Sequence, residues 1–268
     1  EKGSVEAVIE FAKAGIPVVS MSMALCGLTA PVTLASTISI VNAENLASFA
    51  VSQLARPGAP VIYSSESSAI NMKTGEIHYG AREEALIAAA AGQMAKHYGA
   101  PAMSGSFGVG LRGDGPGITV DPSELIFSAM TNMSLTDFSS GLGGLDQAKG
   151  AALEQIVIDS DIWQSVKEVR SDVKFDKEHF AADLIESVGP GGNFLGTPHT
   201  IRNMRKELFL PDKDRAELFE SYRLANDQRE IVMRARERVK KVLSTHRADP
   251  IDASVVRTVD EIVAGRYH

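Results

Sequence analysis

The side chains best suited to chemistry stand just after short apolar runs. Pro60-Val-Ile-Tyr-Ser carries Tyr63 near its end and is followed by Glu66, His78 and Tyr79. Pro101-Ala-Met-Ser-Gly is followed by Phe107 and Arg112, and His199 closes a later glycine- and proline-bearing segment. Aromatic faces with a carboxylate nearby suit an organic cation, and an arginine suits a carboxylate. Each of these residues also has a plain structural use. Tyr63 and Phe107 can pack against a helix, Glu66 can cap a turn, Arg112 can pair with Asp114, and His199 can orient the helix near Thr200. The six histidines are scattered, without HxH or HExxH spacing, and Cys26 stands alone, which disfavours a metal site. The loop that begins at Gly105 reads Gly-Ser-Phe-Gly-Val-Gly; it lacks GxGxxG spacing and the lysine of a phosphate-binding loop. Gly189-Pro-Gly-Gly, with Gly191 and Gly192, reads as a sharp turn at which backbone can approach a ligand or a neighbouring loop.

These residues need elements to place them. Ser4 caps a helix with Val5, Val8, Ile9 and Ala12 at helical spacing; Gly15 ends it, and Pro17 to Ser22 follows as a strand. Val32 to Leu54 reads as a helix buried between a sheet and its neighbours, and Pro60 to Ser64 as a second strand. The segment from Ser64 to Gly80 is polar, with a Thr-Gly-Glu turn that suggests a hairpin-like excursion bearing His78 and Tyr79. Arg82 to Tyr98 is an alanine-rich helix, Pro101 to Gly105 a third strand, and the loop Gly105 to Gly117 follows. Asp121-Pro-Ser-Glu opens the next helix with cap, N1 proline and N3 acid in the favoured order, and a fourth strand fits Asp137 to Gly141.

Helices and strands alternate, which predicts parallel strands with crossover helices. Long polar loops follow the strands, whereas the helix-to-strand turns are tight. That asymmetry is expected of a (β/α) barrel and is shared by a doubly wound sheet. Beyond Leu153 long charged helices take over, including Lys213 to Leu243, whose alternating charges read as a solvated face.

The 268 residues carry a net charge of −7, 44% hydrophobic and 23% charged residues, ordinary values for a globular chain of one large or two smaller domains. The acidic balance, with no Lys/Arg-rich block, argues against nucleic acid as a partner. A single cysteine excludes an internal disulfide and fits a reducing cytoplasm. At 6% aromatic residues an all-β architecture is disfavoured. The first fifteen residues read as an amphipathic helix with acids, not a secretory signal. Asn42, Glu44, Asn45 and Gln53 within the most apolar stretch argue against a membrane span.

Four segments together resemble one family. They are MALCGLTAPVTLASTISIVNAENLASFAVSQLARPGAPVIY (Met23 to Tyr63), TGEIHYG (Thr74 to Gly80), ALEQIVID (Ala152 to Asp159) and VGPGGNFLGTPHT (Val188 to Thr200). In order and spacing they resemble the trimethylamine methyltransferase family, corrinoid-dependent enzymes that include glycine betaine methyltransferases. The resemblance runs over nearly the whole chain. It implies an α/β fold of the (β/α)8 TIM-barrel type, incomplete here because family members are longer at the N-terminus, so that this chain resembles the C-terminal portion, as a fragment or a natural truncation. On that division, residues 1–200 hold the barrel units and 201–268 form a helical extension packed on the barrel. Departures are Asn193 and Thr197 where the family has histidines, with His199 retained, and the loop Gly105 to Gly117. Nothing indicates pyrrolysine, so the resemblance favours the pyrrolysine-free branch that is linked to quaternary amines.

The activity implied is methyl transfer from a methylated amine, such as a betaine, to the cobalt of a corrinoid held by a partner protein, with no metal bound directly. Tyr63, Glu66, His78 and Tyr79 would line the substrate pocket, Phe107 and His199 would close it, and Gly105, Gly191 and Gly192 would bring backbone near; the catalytic residues themselves are not identifiable. Missing strands would leave exposed edges, so a homo-oligomer is expected. One rival is a non-catalytic barrel remnant that binds a methylated amine or an assembly partner. Another is a barrel aldolase or lyase, which would want a Schiff-base lysine at a strand end; none of the four strand segments contains one.

Overall fold

Apolar residues at helical spacing, broken by glycine and proline and followed by short β-branched runs, dictate the order of the first elements. A computed structural model describes residues 2–133, 136–169, 173–208 and 228–265, together with positions 210, 213 and 216. Helix α1 (Lys2–Ala14) turns at Gly15 into strand β1 (Val18–Ser22), and the short β2 (Leu25–Cys26) follows. Helix α2 (Leu34–Ala55) leads to β3 (Val61–Ser65), then to the excursion β4 (Ser68–Ile70) and β5 (Ile77–His78). Helix α3 (Arg82–His97) leads to β6 (Ala102–Ser106), and α4 (Pro122–Met133) to β7 (Phe138–Ser140). The hairpin β8 (Gly144–Leu145) and β9 (Gly150–Ala151) precedes α5 (Leu153–Val169).

The main sheet has the order β1-β3-β6-β7, every pair parallel, with Ser20 opposite Tyr63 and Tyr63 opposite Ala102. Strand order thus follows chain order, and each helix packs on the next, α1 on α2, α2 on α3 and α3 on α4. Among the described residues the four strands form an open sheet and do not close into a barrel. The expected hairpin-like excursion is present: β4 pairs antiparallel with β5 and parallel with β2. The third strand, expected over Pro101 to Gly105, is shifted by one residue to Ala102–Ser106. Phe107 N–H donates to the Ser140 carbonyl at 2.7 Å, so pairing with β7 carries β6 through Gly105. Gly105, read both as the last strand residue and as the first of the loop, therefore sits within the strand, and the loop starts beyond Ser106.

Two cores form. Between sheet and helices lie Val41, Tyr63, Ile87, Ala91, Ala95 and Ala102, the alanines of α3 allowing close approach to β6. Phe107 and Val109 pack with Ile158 and Val166 of α5 and with Ile231 and Ala235 of a later helix, α9 (Gln228–Thr245). Each buried aliphatic side chain contributes about 1.5–3 kcal/mol. Helix α2 is not buried on all sides as its composition suggested. Its buried residues are Thr37, Val41, Asn45 and Ser52, while Leu54 is 86% exposed. Apolar residues surround that helix, so composition selects no face; polar contacts do, with Asn45 Nδ2 donating to the Ser64 carbonyl at 3.0 Å. Among the described residues no helix is long and apolar enough to cross a membrane.

Past α5 come α6 (Lys177–Phe180), α7 (Ala182–Val188) and α8 (Pro198–Glu207), then α9 and finally α10 (Ala253–Val263). Helices α7, α8 and α10 contain no buried residue, whereas α9 packs along α5. The division at residue 200 falls inside α8. Of the helix read over 213–243, positions 214–215 and 217–227 lie outside the described residues.

Candidate functional site

In a parallel sheet the loops after the strands emerge at one end, and there the chain builds a cavity of about 470 Å³. It is lined by residues of the β4–β5 excursion (Asn71, Glu76, Ile77, His78, Tyr79), of the loop after β6 (Leu111, Arg112) and of the β8–β9 turn (Asp146, Gln147). Three sequence candidates, His78, Tyr79 and Arg112, meet in this one cavity.

Glu124 holds two of them. The Asp121-Pro-Ser-Glu sequence forms a capping box: Asp121 Oδ1 accepts the N–H of Ser123 at 2.7 Å and of Glu124 at 3.0 Å, and Glu124 Oε2 accepts the Asp121 N–H at 3.0 Å. The other oxygen, Oε1, lies 3.3 Å from His78 Nε2 and pairs with the Arg112 guanidinium. The Glu124 side chain is 5% exposed and both partners are 44% exposed, so a buried carboxylate tethers two basic groups that still reach solvent.

Glu66 and Tyr79 form a second group. Glu66 N–H donates to the Ser22 carbonyl at 2.9 Å, which fixes the exit of β3, and its carboxylate accepts from the Ser140 hydroxyl at the end of β7. Burial pushes the Tyr79 phenol above its ordinary value, and the carboxylates of Glu66 and Glu84 push it further. Ser68 Oγ donates to the His78 carbonyl at 2.7 Å, holding the excursion over the strand ends. The cavity wall thus carries both signs, Arg112 against Glu76 and Asp146, with the His78 imidazole and Tyr79 beside them. Glu66, expected to line the pocket, is not among the lining residues and acts on Tyr79 through its charge.

The remaining candidates lie elsewhere. Tyr63 faces the helices: it is 1% exposed, its ring stacks on Tyr98 and meets Phe49 edge-on, and its hydroxyl donates to Asn42 Oδ1 at 3.2 Å. Burial, with a smaller contribution from Tyr98, pushes its phenol up to about 12. Phe107 is fully buried against Trp163, with ring centroids 5.3 Å apart, in the second core. His199 lines a separate surface hollow with Lys177, Asp183 and Arg202. Gly191, with φ +80°, and Gly192 stand in the exposed turn between α7 and α8, where Thr197 Oγ1 caps α8 by accepting the Thr200 N–H at 3.2 Å. Among the described residues no three His, Cys, Asp or Glu side chains group as a metal site requires.

Sequence reasoning missed Glu124 as a ligand of His78 and Arg112, seeing only its cap, and it missed Asp146 and Gln147. It also missed Gln155 and Asp159, polar residues four apart inside ALEQIVID; that spacing on an otherwise apolar helix face was the available signal.

Together these features define an α/β protein with a mixed-charge cavity at the loop-bearing end of its parallel strands. The chain belongs to the trimethylamine methyltransferase family, whose model matches residues 1–268. It is 32% identical over 265 residues to a glycine betaine methyltransferase of Desulfitobacterium hafniense (strain Y51), covering 97% of this chain and 54% of that protein. It is also 32% identical over 262 residues to the trimethylamine methyltransferase MttB of Methanosarcina barkeri (strain Fusaro / DSM 804), covering 96% and 51%. Over 267 residues it is 30% identical to the trimethylamine methyltransferase MttB of Desulfitobacterium hafniense (strain DSM 10664 / DCB-2), again covering 96% and 51%. The chain spans about half the length of the curated relatives it matches.

Proposed function

We propose that this chain carries the amine-binding part of a methyltransferase that moves a methyl group from a quaternary amine, of the betaine type, to the cobalt of a corrinoid on a separate protein. The observation that carries the reading is that the cavity wall holds a tethered Arg112 together with Tyr79, whose phenol feels the charge of Glu66 behind the wall. Arg112 would take the substrate carboxylate, and the Tyr79 ring with the Glu66 charge would take the trimethylammonium. A glycine betaine methyltransferase among the relatives agrees with a zwitterionic substrate.

The chemistry asks little of acids or bases. A reduced cobalt on the partner protein would supply the electron pair for the new bond to the methyl carbon; the pair of the broken C–N bond would stay on nitrogen, which would leave as a neutral tertiary amine with no proton moved. The protein's work is to hold the cation, exclude water and present one methyl in line.

Strands parallel in chain order, with each helix packed on the next, support an arc of a (β/α)8 barrel. The packing of α9 on α5 supports a C-terminal extension seated on that arc. A cytoplasmic setting fits the reduced, buried Cys26, and self-association fits Val19 and Met21, 40% and 45% exposed on the edge strand β1.

The test is anoxic incubation of the chain with glycine betaine labelled with 13C in its N-methyl groups and with cob(I)alamin. Label on cobalt with equimolar dimethylglycine is the expected result. Betaine bound but never demethylated would favour the second reading, a binding remnant, for which the open sheet edges speak.

A further inference from the structure

Two buried polar side chains of α5 take no part in the cavity, yet its wall hangs from them. Gln155 and Asp159 are both fully buried, one helical turn apart. Asp159 Oδ1 accepts the Val109 N–H at 3.0 Å and a Gln155 Nε2–H at 2.8 Å, and Oδ2 accepts the Gly143 N–H at 2.7 Å. Gln155 Oε1 accepts the Gly117 N–H at 2.7 Å. One helix face therefore grips both ends of the loop after β6 and the start of the β8–β9 hairpin.

The two loops are also tied to each other. Gln147 N–H donates to the Leu111 carbonyl at 2.7 Å and Asp146 N–H to the Gly113 carbonyl at 2.8 Å. Leu111, Arg112, Asp146 and Gln147 are the residues that these loops give to the cavity. Docking is close enough to demand glycine: a Cβ at Gly110 would lie 2.5 Å from Gln155 Cδ, and one at Gly143, where φ is +87°, 2.4 Å from Ile156 Cγ1. Asp146, Gln147 and Ala148 hold left-handed φ values of 45°, 53° and 65°, a strained run that persists where surroundings over-determine it. Every recorded partner of Asp159 is a neutral N–H donor, which gives the carboxylate the task of collecting amides, not of pairing a cation.

We propose that Gln155 and Asp159 are positioning residues, which set Arg112 and the Asp146–Gln147 turn against the substrate without touching it. The proposal rests on the reading of the cavity as a betaine site. Asp159→Asn keeps the size but aims an N–H at one of the N–H groups the carboxylate now accepts. Gln155→Met releases Gly117 and removes one donor to Asp159 while leaving the Asp159 acceptors for Val109 and Gly143, and it covers the case in which Asp159→Asn fails to fold.

The experiment combines amide hydrogen exchange with calorimetric titration of glycine betaine and of choline, which shares the trimethylammonium but lacks the carboxylate. In Asp159→Asn, exchange at Val109 and Gly143 should quicken more than exchange at the amides of the main sheet, which report any general loss of stability. Betaine affinity should fall roughly tenfold and choline affinity less than about twofold, because the loss falls on placement of Arg112. In Gln155→Met, exchange at Gly117 quickens and betaine affinity falls less. Unchanged exchange at these amides, or equal losses for betaine and choline, overturns the proposal. A wild-type chain that binds neither ligand instead defeats the reading of the cavity, and the exchange data then judge the anchoring by itself.

Discussion

Replacing Glu124 tests whether the cavity's basic groups are held by the helix cap beneath them. In Glu124→Ala the Asp121 N–H loses its acceptor, worth about 1 kcal/mol by the usual cost of a lost cap. The Arg112 and His78 contacts disappear as well. A hydrogen bond to a charged group contributes about 1.5–3 kcal/mol when buried. Both partners are 44% exposed and can rehydrate, so the lower part of that range applies. The sum is a loss of about 2–3 kcal/mol. With a urea slope of about 3 kcal/mol/M, that moves the unfolding midpoint down by roughly 0.8 M. Glu124→Gln keeps an oxygen for the Asp121 N–H and should lose only about 1 kcal/mol, the share of the lost charge. In a double-mutant cycle Arg112→Ala should cost less in the Glu124→Ala background than alone, since the pair acts as one unit. Equal urea midpoints for wild type and Glu124→Ala, or additive losses in the cycle, would refute the tether.

Three further outcomes follow from the same geometry. Burial pushes the Tyr63 phenol up to about 12 in the folded chain, above its ordinary value of about 10, so its contribution of roughly 3 kcal/mol is whole below about pH 10 and is lost as pH rises through about 12. Alkaline unfolding followed by tyrosinate absorbance should show this step, and Tyr63→Phe should remove it. Phe107→Ala empties a fully buried site against Trp163 and should cost about 3–5 kcal/mol in chemical denaturation, whereas Phe107→Leu should leave betaine affinity within about twofold. Gly143→Ala forces a side chain onto Ile156 at a left-handed φ and should destabilise by at least about 2 kcal/mol, measured by thermal melts.

The parallel alternation was legible because the strands are short apolar runs, three of them entered through a glycine-x-proline turn, and each separated from the next by a full helix. The Asp121-Pro-Ser-Glu cap was legible to the residue, since capping is local chemistry. His78, Tyr79 and Arg112 were found together because loops that follow parallel strands share one end of the sheet. The face that Tyr63 takes was not legible: alternation tells that neighbours along a strand point oppositely, not which side holds the helices. Phe107 illustrates the same gap, because extended pairing of β6 with β7 carries it into the core with Trp163. The left-handed run at Asp146, Gln147 and Ala148 leaves no trace in residue type, because tertiary hydrogen bonds hold it and not glycine. Gln155 and Asp159 were visible as residues but not as anchors, since their partners are backbone amides far along the chain.

The most direct test of the account is calorimetric titration of the chain with glycine betaine, choline and trimethylamine, for wild type and Arg112→Ala. The account predicts that wild type binds betaine in the micromolar-to-millimolar range. It also predicts that Arg112→Ala weakens betaine roughly tenfold while leaving choline within about twofold. Absence of betaine binding by wild type, or an equal loss of betaine and choline in Arg112→Ala, would contradict it.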